Sequence, residues 1–189
     1  QGAMDLLVVG NPDDPASDVG PVIDLAAADR INDYLQRIKA AGAQHLASAP
    51  TPKGARFVAP QMWKMADNAF PEEEVFGPIL HVVTYKTGEL EALIETINAL
   101  DYSLTCAIHT RSDLRQQLFE QKAAAGNLYI NRNQIGAVVA SQPFGGHGLS
   151  GTGPKAGGPL YLTRFVQERT LSVDTTAAGG NAALMAGLS

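Results

Sequence analysis

The sequence predicts an α/β fold in which a mostly parallel sheet is flanked by helices. Three observations lead there. Over residues 79–131 the chain alternates between apolar, strand-like runs and helical periodicity, in the order strand, helix, strand, helix, strand; this is the rhythm of parallel strands joined by crossover helices. Those strands read as continuous apolar runs, as strands covered on both faces do. The composition, 45% apolar and 17% charged, is that of a chain able to bury a core.

Residues 3–9 lead into a turn at Gly10-Asn11-Pro12, and residues 4–7 read like the end of a helix already under way. Asp24 is placed to cap a helix over residues 25–41, because Ala27, Ile31, Tyr34, Leu35 and Ile38 recur at helical spacing. Gly42 supplies the left-handed stop. Residues 45–49 form a short strand before Pro50-Thr51-Pro52, and residues 57–62 form another, rich in Phe57, Val58 and Met62. The apolar run 79–85 is a strand. A helix over 89–100 carries Leu90, Leu93, Ile94 and Ile97 on one stripe. Residues 104–109 read as a buried strand. A helix begins at Ser112 or Asp113 and ends at Ala124 or Ala125, before Gly126. Residues 127–131 are one more strand. After Asn133 the style changes: residues 145–154 are too rich in glycine for helix or strand, and the long loop read over 126–159 points to function. Pro159 opens a short helix over 160–165, and 170–174 are strand-like.

Bulk properties exclude several roles. The net charge is −5 and no basic block is present, which argues against nucleic-acid binding by this segment. No apolar run approaches the length of a transmembrane span. Cys106 is the only cysteine, so no internal disulfide or cysteine-based zinc site can form, and a cytoplasmic location fits. The first residue is Gln1, and the chain reads as a segment of a longer polypeptide.

Four features invite a functional reading that the context does not support. Gly146-x-Gly148-x-x-Gly151 satisfies a dinucleotide pattern, but that pattern works only between a strand and a helix, and Pro143, Pro154 and Pro159 surround it. Lys155 misses phosphate-loop spacing because Pro154 separates it from Gly153. Cys106 lies in an apolar strand without a nearby cation or helix N-terminus to lower its pKa, and reads as a small core residue. His45, His81, His109 and His147 form no metal-ligand pair, so no metal site is expected; His81 and His109 read as hydrogen-bonded structural residues in strands.

Two segments are specific. Glu72–Glu74 alone reads as a solvated charge run. Within Glu74-Val75-Phe76-Gly77-Pro78-Ile79, however, it resembles the E-x-F-G-P motif of NAD(P)-dependent aldehyde dehydrogenases. Gly126-Asn127-Leu128-Tyr129-Ile130-Asn131-Arg132 resembles the strand that follows in that superfamily. The run from Gln142-Pro143-Phe144-Gly145-Gly146 through Gly151-Thr152-Gly153-Pro154-Lys155-Ala156-Gly157-Gly158-Pro159 resembles the narrower group of L-glutamate γ-semialdehyde (Δ1-pyrroline-5-carboxylate) dehydrogenases. Residues 175–182 resemble the tail of the bacterial bifunctional proline utilization A enzymes.

The resemblance implies the C-terminal part of an aldehyde dehydrogenase catalytic domain. It divides the chain into residues 1–159 as a partial catalytic domain, 160–175 as a short helix with an oligomerisation strand, and 176–189 as a tail. It implies cofactor contacts at Glu74, whose two carboxylate oxygens suit a ribose diol, and at Phe76, packed near the nicotinamide. Substrate contacts are implied at Gly136 and Ala137, whose backbone N–H groups would hold the substrate carboxylate, and at Phe144, along its aliphatic part. Some relatives carry Ser where this chain has Ala137. Phe144 also reads as a plain loop anchor, and the tail as a terminus without fixed structure.

Members of the family use a cysteine thiolate, a glutamate base and NAD+. In the family the nucleophile, the base and the dinucleotide-binding domain lie N-terminal to the part represented here, so no catalytic residue is expected in this chain and the isolated chain is expected to be inactive. The implied function is part of an NAD-dependent oxidation of L-glutamate γ-semialdehyde to L-glutamate in proline catabolism. The implied partners are a small-molecule substrate, an upstream dinucleotide-binding domain of the same polypeptide and further copies in a homo-oligomer. FAD would belong only to an upstream proline dehydrogenase domain. The competing reading is a non-catalytic assembly or interaction module.

Overall fold

A computed structural model describes residues 2–54, 56–135, 140–174 and 186–187. The chain forms two compact units, Gln1–Leu100 and Asp101–Ser189.

The first unit opens with a single 3-10 turn, Met4–Leu6, and a parallel bridge between Val9 and Val19. Helix α1 spans Leu25–Ala40. Both of its ends follow from local chemistry. Asp24, in extended conformation, accepts the Ala27 N–H on Oδ1 (2.6 Å), satisfying one of the free donors of the first turn. At the other end Gly42 adopts φ +92°; its N–H donates to Lys39 O (3.0 Å) and the Ala43 N–H donates to Ile38 O (2.9 Å). These two bonds form a Schellman motif, which only a residue free of a Cβ adopts without strain.

Strand β1 (Gln44–Ser48) runs antiparallel to β2 (Gln61–Lys64), with an irregularity between His45 and Ala47. Strand β3 (Ile79–Val82) lies parallel to β2, giving the order β1-β2-β3. The apolar face of α1 closes this sheet. Ala28, Ile31, Leu35 and Ile38 pack with Ala43, Val58, Trp63 and Met65, while Val22, Tyr34, Ile79 and Val83 flank them. Helix α2 (Leu90–Ala99) follows and buries Ile94.

In the second unit β4 (Tyr102–Ser103) pairs antiparallel with β7 (His147–Gly148). Strand β5 (Thr105–Ile108), helix α3 (Asp113–Lys122) and β6 (Asn127–Ile130) form a parallel crossover unit, with Cys106 opposite Leu128. Phe119 of α3 and Tyr129 of β6 are buried. Asn131 seals the end of this pair. It takes φ +56°, a region that Asn tolerates better than most residues; its Oδ1 accepts from the Thr110 N–H (2.8 Å) and its Nδ2 donates to Thr110 O (3.0 Å). A 3-10 helix, Tyr161–Phe165, follows the glycine-rich loop.

The α/β character holds, and the differences from expectation are local. The strand expected over 57–62 lies at Gln61–Lys64. Pro60 has no N–H for a ladder, and its carbonyl instead accepts from the Ala49 N–H (2.9 Å) just before β2 begins. The strand expected over 79–85 ends at Val82, where Thr84 turns to Asn68: its N–H and its hydroxyl both reach Asn68 Oδ1 (2.9 and 3.1 Å). Strand β3 takes β2 as its parallel neighbour, across a connection with no α-helix, so the parallel rhythm read over 79–131 contributes to two sheets. His109 is exposed one residue beyond β5 and is not a strand residue. Residues 166–174 are exposed and carry no regular secondary structure. No helix among the described residues is long and apolar enough to cross a membrane.

Candidate cofactor groove and substrate loop

The connection from β2 to β3 carries Glu73-Glu74-Val75-Phe76, and these four residues line a groove with one face of α1. The groove has a volume of about 830 Å³. Ala27, Arg30, Ile31, Tyr34 and Arg37 contribute from α1, at the spacing that brings residues onto one helix face. Glu74 and Phe76 are thus brought together, both exposed, with Phe76 81% accessible. An exposed carboxylate beside an exposed aromatic face, with guanidinium groups opposite, can accept hydroxyl donors and cover a flat ring at once.

Gly77 sets how closely this connection approaches α1. A Cβ built there would lie 2.5 Å from Ile31 Cδ1 and 3.0 Å from Ile31 Cγ1, and Ile31 is itself buried at 3% exposure. Only glycine lets the segment lie against the helix at this distance.

Tyr34 links the groove to the sheet. Its hydroxyl lies 2.7 Å from His81 Nε2, and the two rings meet edge to face with centroids 5.6 Å apart. The Arg37 guanidinium lies over the Tyr34 ring, 5.7 Å from its centroid. Burial pushes the His81 pKa down and the Tyr34 pKa up, so both groups favour their neutral forms. His81 is therefore the hydrogen-bonded structural residue that the sequence suggested.

The second unit holds Phe144. Its backbone N–H and C=O are both paired with Ala156, at 3.0 Å each, and its ring is half-buried. Gly136 and Ala137 lie outside the described residues, as does the tail over 175–182. The glycines of the G-x-G-x-x-G pattern serve close packing. Gly146 bridges Gly151, and a Cβ on Gly148 would lie 1.9 Å from Asp101 Oδ1. Residues 149–160 form no helix, so no helix N-terminus faces that loop. Cys106 is half-buried in β5, and burial raises its pKa, which disfavours the thiolate a nucleophile needs. Among the described residues no group of three or more His, Cys, Asp or Glu side chains is gathered to hold a metal ion.

Sequence reasoning missed Arg30, Tyr34 and Arg37. The available signal was their spacing, which puts them on the same side of α1 as Ala27 and Ile31. It also missed Asn127 and Lys155, whose partners lie 16 to 29 residues away and leave no local mark.

Comparison with known proteins agrees over both units. The aldehyde dehydrogenase family model matches residues 1–171. The chain is 46% identical over 176 residues to the bifunctional protein PutA of Escherichia coli K12, covering 89% of this chain and 13% of that protein. It is 36% identical over 168 residues to the 1-pyrroline-5-carboxylate dehydrogenase of Bacillus subtilis, covering 88% of this chain and 32% of that enzyme. The crystal structure of a mutant proline utilization A from Bradyrhizobium japonicum superposes with a TM-score of 0.82 at 46% identity, over 93% of this chain and 18% of that one. The chain thus spans between about an eighth and a third of the length of these relatives. With its family match reaching from the first residue to 171, the chain belongs to the aldehyde dehydrogenase family.

Proposed function

We propose that this chain is part of an NAD+-dependent dehydrogenase that oxidises L-glutamate γ-semialdehyde to L-glutamate in proline catabolism. The observation that carries the reading is the placement of Glu74 and Phe76 in one groove against α1, in a chain whose relatives include a 1-pyrroline-5-carboxylate dehydrogenase.

The groove residues fit a nicotinamide nucleoside. The volume is within the ordinary range of small-molecule sites, roughly 300–1,000 Å³. Glu74 accepts two hydrogen bonds from the vicinal hydroxyls of a ribose, a match for two carboxylate oxygens. Phe76 would hold the nicotinamide ring in place for hydride transfer. When bound, NAD+ supplies the acceptor for the hydride that leaves the aldehyde carbon. The family resemblance assigns Phe144 to the aliphatic part of the substrate, and Gly136 and Ala137, which lie outside the described residues, to its carboxylate. The thiol nucleophile comes from outside this chain, because burial keeps Cys106 protonated, and the chain by itself is inactive. In a bifunctional arrangement like that of PutA, FAD would serve a separate proline dehydrogenase domain.

A second role rests on a separate observation. Leu160, Leu162, Phe165, Val166, Leu171 and Val173 are all exposed in the segment after the glycine-rich loop. That much apolar surface is suited to burial against another protein surface. We assign residues 170–174 to strand pairing between copies in a homo-oligomer, which is also the form that an assembly role of this chain takes.

The test is a chimera in which this chain replaces the matched residues of Escherichia coli PutA. The expected result is NADH formation from glutamate semialdehyde at a rate within about tenfold of the parent enzyme, with none from the 189-residue chain alone. A folded chimera that binds NAD+ but does not oxidise the semialdehyde, while oxidising a simple aldehyde, removes the substrate assignment.

A further inference from the structure

Phe144 is held by a frame of polar side chains to which the mechanism above assigns no role. Asn127 of β6, only 8% exposed, uses both halves of its carboxamide on the chain around Phe144. Its Nδ2 donates to Pro143 O (3.0 Å), and its Oδ1 accepts from the Gly145 N–H (3.2 Å). One side chain therefore grips the residues immediately before and after Phe144, while Phe144's own N–H and C=O are paired with Ala156.

Lys155, the neighbour of Ala156, completes the frame. Its Nζ donates to Gly126 O and to Asn127 Oδ1 (3.3 Å). An ammonium can only donate, so the Asn127 atom facing it must be the oxygen. The reversed amide would set NH2 against both the ammonium and the Gly145 N–H, and oxygen against Pro143 O. Lys155 thus reinforces the orientation of the Asn127 amide that the Gly145 N–H and Pro143 O already favour. A further tie lies close by, where Gln142 Nε2 donates to Tyr129 Oη (3.1 Å).

A residue that only anchors a loop ends with its side chain in the core. Phe144 differs: its own N–H and C=O, the Pro143 C=O and the Gly145 N–H are all engaged, while its ring is only half-buried. The geometry points to Asn127 and Lys155 as positioning residues that present the Phe144 ring to the aliphatic part of the aldehyde substrate and so govern KM for that substrate. This rests on the proposed dehydrogenase function.

Asn127→Asp keeps the acceptor for Lys155 and for the Gly145 N–H but sets an oxygen against Pro143 O. Lys155→Met removes one of the groups that orient the amide and the tie to Gly126 O, and Lys155→Arg retains donors. In the chimera, Asn127→Asp and Lys155→Met should raise KM for glutamate semialdehyde by roughly tenfold, with KM for NAD+ changed less than about twofold. Lys155→Arg should recover at least part of the loss. In the 189-residue chain, Asn127→Asp should also speed hydrogen exchange at the Gly145 amide. An active chimera whose variants keep the parent semialdehyde KM overturns this inference alone. So does a parallel rise in both KM values with a fall in thermal midpoint, the mark of a merely structural role. An unsubstituted chimera that ignores the semialdehyde overturns the functional reading itself.

Discussion

The Tyr34 hydroxyl meets His81 Nε2 at 2.7 Å and fastens the groove-lining helix to the strand that follows the Glu74–Pro78 segment. Burial lowers the His81 pKa, so the folded state prefers the neutral imidazole that can accept this bond.

A pH dependence follows from that direction. With the folded pKa below the unfolded value of about 6.5, the unfolded chain binds more protons in the interval between them, and stability rises with pH there. The contribution of His81 is therefore complete above about pH 6.5, falls as the pH drops below it, and levels off once the folded imidazole itself protonates. Thermal midpoints measured between about pH 7.5 and 5 should show this loss, and His81→Gln should remove that part of the slope. An unchanged slope in the variant would place the titrating group elsewhere.

Gly77→Ala should destabilise the first unit by about 1–3 kcal/mol, the usual cost of forcing an extra methyl into a packed site. The cause is the approach to Ile31 Cδ1, at 2.5 Å from the added carbon. Ile31→Val removes that terminal methyl, so the double variant should be more stable than the sum of the two single changes predicts. Denaturant titration of the four-member cycle measures the coupling.

Glu74→Gln tests the cofactor assignment. The amide keeps one acceptor oxygen but loses the charge, and hydrogen bonds to a charged group are worth about 1.5–3 kcal/mol. In the chimera KM for NAD+ should rise by about tenfold or more, with KM for the aldehyde nearly unchanged. The Glu74 carboxylate is exposed, so the thermal midpoint should stay within a few degrees.

What the sequence made legible was what depends on near neighbours. Both ends of α1 were readable because Asp24 and Gly42 act on groups within a few residues of themselves. The crossover unit β5–α3–β6 was readable because its apolar periods are local. Strand β2 was misplaced because the β propensity of Phe57 and Val58 is real, but Pro60 delays the ladder until Gln61. The groove was legible only on one side: the E-x-F-G-P resemblance picked out Glu74 and Phe76, whereas Arg30 and Arg37 share a helix face by spacing but become their neighbours only once α1 is placed beside that segment. The same holds for Asn127, whose partners Pro143 and Gly145 come from a distant stretch of chain.

One contact in the second unit limits what mutation can change there. A Cβ on Gly126 would fall 2.0 Å from Gly145 O, so the chain crosses itself there with no room for any side chain. Mutation cannot gradually widen or tilt that crossing. β6 starts directly from that crossing, so the strand and the main chain at Gly145 are locked to each other, and sequence change is tolerated only in the loop beyond the end of β6.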